Sequence, residues 1–154
     1  MNVEIIFFPL TMLACVEHLG PPAHEHETAR KLLAWKREHG LLDQTRYKNY
    51  GIHYTDPRST PPAKHRVDFC ISFDGPVEEN PYSVIQKSIP ALRCSYARDV
   101  GSRYNNAAAA YLQETWLPRS GESPGDFPMF FHYVNVGPTV KEEEMITDVY
   151  LPLR

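Results

Sequence analysis

Basic charge is scarce in this chain. Sixteen Lys and Arg face nineteen Asp and Glu, a formal net charge of -3 over 154 residues. No run of Lys or Arg offsets this, so the basic stripe of a nucleic-acid surface is missing and direct nucleic-acid binding is not expected. Cysteine is nearly absent. Cys15, Cys70 and Cys94 stand far apart, odd in number and without a CxxC spacing, which fits a reducing cytoplasm better than a disulfide framework. Long apolar runs are missing too. The longest, near Ile5 to Ala14, is broken by Pro9 and Thr11. It is too short to cross a membrane and lacks the basic leader and cleavage pattern of a signal peptide. No Gly-rich phosphate loop, dinucleotide fingerprint, HExxH or Ser-His-Asp pattern occurs, so no cofactor and no metal are expected.

What is present is an ordinary globular composition, 42% apolar and 23% charged, long enough for one domain with a real core. Fourteen prolines fall mostly between periodic segments and mark many stiffened loops. Val3 to Phe8 reads as a strand that resumes after Pro9 to about Leu19. A helix is expected from about His24 to His39, with Ala29, Leu32, Leu33 and Leu41 on one face, Glu25 and Glu27 in its first turn and Gly40 at its end. Strands are expected over Asn49 to Thr55 and Arg66 to Phe73. In the second, Val67, Phe69, Ile71 and Phe73 alternate with Arg66, Asp68, Cys70 and Ser72, the pattern of a half-buried strand.

The second half repeats this order. Short strands over Ser83 to Ile89 and Ala91 to Arg98 precede a helix from Ser102 to Trp116, a turn from Pro118 to Gly125, and strands over Phe130 to Val136 and Ile146 to Leu153. Cys15, Gly20, Trp35, His53-Tyr54 and Asp68 have counterparts in Cys94, Gly101, Trp116, His132-Tyr133 and Asp148. A fixed offset of about eighty residues that keeps residue types in order predicts a duplicated β-α-β-β module. The modules run over about 1–80 and 81–154 within one α+β domain spanning 1–154, with helices layered on mainly antiparallel sheets and pseudo-twofold symmetry.

Six strings carry a resemblance: Tyr50-Gly-Ile-His-Tyr-Thr-Asp-Pro57, Arg66-Val-Asp68, Ile89-Pro90, Trp116-Leu-Pro-Arg-Ser-Gly121, Pro128-Met-Phe-Phe-His-Tyr-Val-Asn135 and Thr147-Asp-Val-Tyr-Leu-Pro152. In this order, over nearly the whole chain, they resemble the GyrI-like small-molecule-binding domain, also the effector-binding fold of AraC-type and MerR-type multidrug regulators. The resemblance implies a cleft between the modules for lipophilic, often cationic aromatic compounds, in a bacterial cytoplasm. It also implies DNA gyrase as an alternative partner, and hydrolysis of small electrophilic compounds as an alternative activity. The regulators carry a DNA-binding head. Met1 leads here straight into the first strand, so direct operator binding is not expected.

One departure bears on both ligand and catalysis. Many members place a glutamate where this chain has Phe131. A buried carboxylate is the natural counter-ion of a bound cation. Without it a cation relies on aromatic faces, roughly 0.5–2 kcal/mol each, and Phe131 transfers no proton. The expectation is a stand-alone binding protein for hydrophobic or aromatic compounds, acting as sensor, sequestering protein or resistance factor, more plausibly than an enzyme. Alternation puts Phe131 and Tyr133 on one strand face, with Ile52 and Tyr54 as repeat counterparts. These four, with Trp35, Tyr104, Trp116 and Tyr150, are the candidate ligand contacts; no catalytic residue is assigned. His53 and His132 are expected on the opposite face in structural roles. His24-Glu-His-Glu27 reads as a solvated helix start rather than a metal site, and Cys15 and Cys94 as small buried residues. Asp68 and Asp148 are expected to bond backbone. Glu17 is the nearest acid that could replace the missing carboxylate.

Overall fold

The computed structural model describes residues 1–154. Eight strands form where alternation and β-branched or aromatic residues are densest: β1 (Glu4–Phe8), β2 (Thr11–Leu19), β3 (Asn49–His53), β4 (Arg66–Ser72), β5 (Ile85–Ile89), β6 (Leu92–Val100), β7 (Met129–Tyr133) and β8 (Ile146–Pro152). The long helix α1 covers Glu25–Glu38, and the second half carries the short α2 (Ala107–Tyr111) and α3 (Leu117–Ser120). The chain divides into two compact units. The N-terminal unit is Thr11–Ile89; the C-terminal unit joins Met1–Leu10 to Pro90–Arg154.

Each unit is a four-stranded antiparallel sheet with helix on one face. The strand order is β3-β4-β2-β5 in the N-terminal unit and β1-β6-β8-β7 in the C-terminal unit. The two units match strand for strand. β2 and β6 each run for nine residues and end at Gly20 and Gly101, both with φ of 131°, a backbone that favours glycine. The β-α-β-β order therefore recurs in both units, but each unit draws its outer strand from the segment preceding the other β-α-β-β run. β1 pairs with β6, and β5 pairs with β2.

α1 shows why the sequence folds as it does locally. Glu25 and Glu27 occupy its first turn and Lys36 and Arg37 its last, each complementing the helix dipole. Gly40 adopts φ 69°. Its N–H donates to Arg37 O and the Leu41 N–H donates to Lys36 O, the two bonds of a Schellman stop. Leu32 and Trp35 on the inner face pack with Leu41, Ala14, Val16, Ile71 and Val84.

The second helix departs from the expected uninterrupted span. A 3-10 turn (Arg103–Asn105) comes first, then α2, capped by Asn106 Oδ1 accepting from the Ala109 N–H at 3.0 Å. A π-helical turn over Leu112–Trp116 follows, then α3, which carries Pro118 in its first turn and ends at Gly121 with φ 75°. Pro118, expected to open a loop, sits inside the helix. It has no N–H to give the carbonyl four residues back and its ring crowds that carbonyl. The ladder widens just before it, the Leu117 N–H reaching Leu112 O. The inner face, Ala108 and Leu112, packs on Ala97, Met129, Val149 and Leu151.

Two strand expectations are corrected. β7 ends at Tyr133 rather than Val136. Beyond it the Asn135 side chain replaces the ladder, accepting from the Ile146 N–H at 2.8 Å and donating to Glu144 O at 2.8 Å. β4 is not half-buried: Val67 and Ile71 are buried, and so are Asp68 and Cys70 on its other face.

Candidate functional site

Side-chain alternation gives each sheet a helix side and a helix-free side. In the C-terminal unit Phe131, Val149 and Ala97 meet the helices. The next residues along the same strands, Phe130, His132, Tyr150, Asp148, Tyr96 and Arg98, therefore face away from them. In the N-terminal unit Ala14, Val16, Phe69 and Ile71 meet α1, while Cys15, Glu17, Asp68, Cys70 and Ile52 face the other way.

The helix-free face of the C-terminal unit is aromatic. Phe130 stacks on Tyr150 at 4.9 Å, Phe8 meets both edge-on at 4.9 and 5.1 Å, and Tyr96 lies 5.3 Å from Tyr150. Phe130 and Phe8 are buried, and Tyr96 and Tyr150 are the partly exposed members. Next to them Arg98 grips Asp148 with two bonds, Nε to Oδ1 at 2.8 Å and Nη2 to Oδ2 at 3.1 Å. Tyr96 donates its hydroxyl to Asp148 Oδ1 at 2.9 Å, and His132 Nδ1 stands 3.8 Å from Oδ2. The bond to Asp148 holds the Arg98 guanidinium well above its ordinary value.

The equivalent face of the N-terminal unit centres on Asp68, wholly buried. Lys87 of β5 donates to Asp68 Oδ2 at 2.7 Å and to Glu17 Oε2 at 3.0 Å. Tyr54 donates to the same Oδ2 at 2.6 Å, and the Arg66 guanidinium lies 4.0 Å over the Tyr54 ring. Asp68 Oδ1 has no hydrogen-bond partner. Burial alone would lower the Lys87 ammonium; its bonds to Asp68 and Glu17 outweigh that and hold it well above the usual lysine value. The Lys87 bond lowers the Glu17 carboxyl. Burial, then Asp68, pushes the Tyr54 phenol up to about 12. Cys15 and Cys70 sit opposite one another on this face, both buried as free thiols, and burial drives Cys70 well above the thiol range.

The sequence-derived contacts divide between the two sides. Tyr150 on the helix-free face of one unit, and Ile52 and Tyr54 on that of the other, belong to these clusters; Ile52 is buried. Phe131 lies on the helix side, against the cluster of Leu112 and Val149. Tyr133 shares that side, with Arg103 5.3 Å over its ring. Trp116 packs against the same helix-side cluster. Trp35 is core, stacked on His39 at 4.0 Å. Tyr104 is 92% exposed and far from burial of any kind.

The pairing of repeat counterparts is corrected by one residue. Asp68 lies opposite Ile52 and Asp148 opposite His132, so Ile52 matches His132 and Phe131 matches Gly51. A one-residue slip exchanges faces. His132 therefore looks at Asp148, and His53 lies on the helix side. Desolvation, then the His65 imidazole, lowers His53 to about 4. Asp68 and Asp148 bond cationic and phenolic side chains rather than backbone. Glu17 does reach the Asp68 cluster, through Lys87 and, at 3.4 Å, Arg66. Sequence reasoning missed Lys87, Tyr96, Arg98, Phe8 and Phe130. Aligning the halves on Asp68 and Asp148 instead of the two His-Tyr pairs would have recovered the strand faces of Phe130 and His132.

Comparison with known proteins follows the same outline. The family model of the GyrI-like small molecule binding domain matches residues 1–154. A probable transcriptional regulator of Escherichia coli K12, YgiV, is 32% identical over 154 residues, covering 99% of this chain and 96% of the relative. A DNA gyrase inhibitor of Erwinia billingiae is 26% identical over 160 residues, covering 99% and 97%. Among solved structures the EcmrR C-terminal domain superposes with a TM-score of 0.74 at 14% identity, over 99% of this chain and 97% of its own, and so shares the fold. With a full-length family match and a relative above 30% identity, this chain belongs to the GyrI-like small-molecule-binding domain family.

Proposed function

We propose that this protein binds uncharged aromatic or hydrophobic small molecules on the helix-free sheet face of its C-terminal unit and acts as a sensor, sequestering protein or resistance factor. The observation that carries this is the company of the aromatic cluster. Tyr150 and Tyr96 offer partly exposed ring surface, and the carboxylate beside them, Asp148, already holds Arg98 in two hydrogen bonds. A lipophilic cation would have to compete with that guanidinium, whereas a neutral ring needs only the stacking surface. The same neutralisation recurs at Asp68 and Glu17 through Lys87. Exposed Val100, one register step beyond Arg98 on that face, adds an apolar rim.

Binding is favoured over turnover by the pairing of the central carboxylates and by the raised phenol and thiol on these faces. Tyr54 is pushed up to about 12 and Cys94 to about 11, and the two central carboxylates are held by cations. Neither this phenol nor this thiol is poised to exchange a proton near neutral pH. Contact with DNA gyrase is a second reading, favoured by the name of the Erwinia billingiae relative; a supercoiling assay unchanged at saturating protein would remove it.

The test is thermal unfolding with triphenylphosphine oxide, neutral, against tetraphenylphosphonium, cationic and of similar shape. A ligand of the folded state at about 100 times its Kd adds about 2.7 kcal/mol, a shift of a few degrees for a domain of this size. The neutral compound should raise the midpoint more, and Tyr150→Ala should abolish the rise. Larger stabilisation by the cation would overturn the charge preference, and a rise indifferent to Tyr150→Ala would place the site elsewhere.

A further inference from the structure

β1 and β5 hold the same place in their units. Each is an outer strand of five residues with the same run of exposure, pairing with a nine-residue strand and standing at an end of the strand order. Their chemistry differs. On the helix side β5 carries Gln86 and Ser88, and on its other face Ile85, 40% exposed, precedes Lys87, which turns inward to two carboxylates. Polar residues and an inward charge blunt a sheet edge. At the positions matching Gln86 and Ser88, β1 carries Ile5 and Phe7, 45% and 82% exposed. Leu10 and Met1, 62% and 56% exposed, flank them. The fold accepts Gln and Ser at this place in one unit, so it does not itself require Ile and Phe in the other.

We propose that β1 is the dimerisation edge of this protein and that its partner is a second copy of β1, paired antiparallel about Ile6. The strand is its own complement. Centred on Ile6, Ile5 stands opposite Phe7 of the second copy, Phe7 opposite its Ile5, and Ile6 opposite Ile6, so apolar residues meet at each central position. Glu4, the one charge, stands opposite the second copy's Phe8. The two Glu4 carboxylates then lie about four residues, or about 13 Å, apart, beyond the range of strong repulsion in physiological salt. Pairing covers Ile5, Phe7 and the strand edge, with Met1 and Leu10 at its margins, a contact at the small end of specific interfaces. A weak, reversible dimer follows. The contact is isologous and closes on itself, and the blunted β5 edge stops the assembly at two copies.

The experiment is sedimentation velocity on the full chain from about 1 to about 200 µM, the range in which a micromolar equilibrium shows. Monomer should give way to dimer across that range. The double variant Ile5→Gln with Phe7→Ser, which copies β5, should remain monomeric with an unchanged thermal midpoint. Hydrogen exchange on the unaltered protein provides a check that needs no variant: β1 amides should gain protection with concentration while β5 amides do not. A monomer throughout the range overturns the proposal. So does a dimer that persists in a folded double variant, or concentration-dependent protection that bypasses β1.

Discussion

At the scale of single residues, strand parity decides what a side chain can do. Phe131 occupies the position at which many related domains carry a glutamate, and by sequence alone it sets the charge of a binding site. In the structure it lies against Leu112, Val149 and Trp116 on the helix side. Phe131→Glu is therefore expected to put an unpaired carboxylate into an apolar cluster, costing about 2–4 kcal/mol in urea unfolding, and to leave tetraphenylphosphonium binding unimproved. A stable Phe131→Glu protein that binds the cation would refute this placement. His53 provides a second residue-scale prediction. Its folded value of about 4 lies below the ordinary 6.5, so between the two the unfolded chain holds more protons. Stability then rises with pH across that window and is lost as pH falls from about 6.5 toward about 4, by up to about 2–3 kcal/mol. Urea midpoints at pH 7 and 4.5 should differ less in His53→Gln than in the unaltered protein; an unchanged difference would assign the pH dependence to other groups.

At the scale of elements, helix ends and strand edges carry the local code. α1 was legible because its stop signal is local: Gly40 follows the last turn and supplies the left-handed residue of the Schellman bonds. A Cβ at Gly40 meets nothing within 4 Å, so Gly40→Ala is strained only in its backbone. It should cost about 1 kcal/mol, read as a lower urea midpoint with α1 otherwise intact. The second helix was less legible because Pro118 carries two meanings. Proline closes a helix when nothing upstream adapts, yet here a π-helical turn over Leu112–Trp116 absorbs the missing donor. That adaptation is fixed by Leu112 and Trp116 packing on the sheet, contacts that lie far from Pro118 in sequence.

At the scale of the whole molecule, the proposed ligand preference rests on charge pairing. Each carboxylate at the centre of a helix-free face has its own cation, Arg98 for Asp148 and Lys87 for Asp68. Removing one cation should change the preference without altering the aromatic surface. Arg98→Met is expected to improve tetraphenylphosphonium binding about tenfold, or about 1.4 kcal/mol, while triphenylphosphine oxide changes little; calorimetry on both compounds reads the two effects separately. Equal gains for both compounds would show that Arg98 blocks access and does not set charge preference.

The sequence by itself determined the family, the α+β class, the β-α-β-β order in each half, and the ends of α1, because these rest on local periodicity, caps and motif order. It also pointed to Tyr54, Ile52, Tyr150 and the two aspartates as residues sharing strands of interest. Only the tertiary structure decided which side of each sheet those residues face. It also decided that β1 and β5 pair outside their own modules, and that Lys87 and Arg98 neutralise the aspartates. The physical reason is that parity in a strand is absolute but its origin is not local. A one-residue shift in pairing exchanges the faces, and the register is set by partners fourteen to fifty residues away, as with Tyr54 and Asp68 or Arg98 and Asp148.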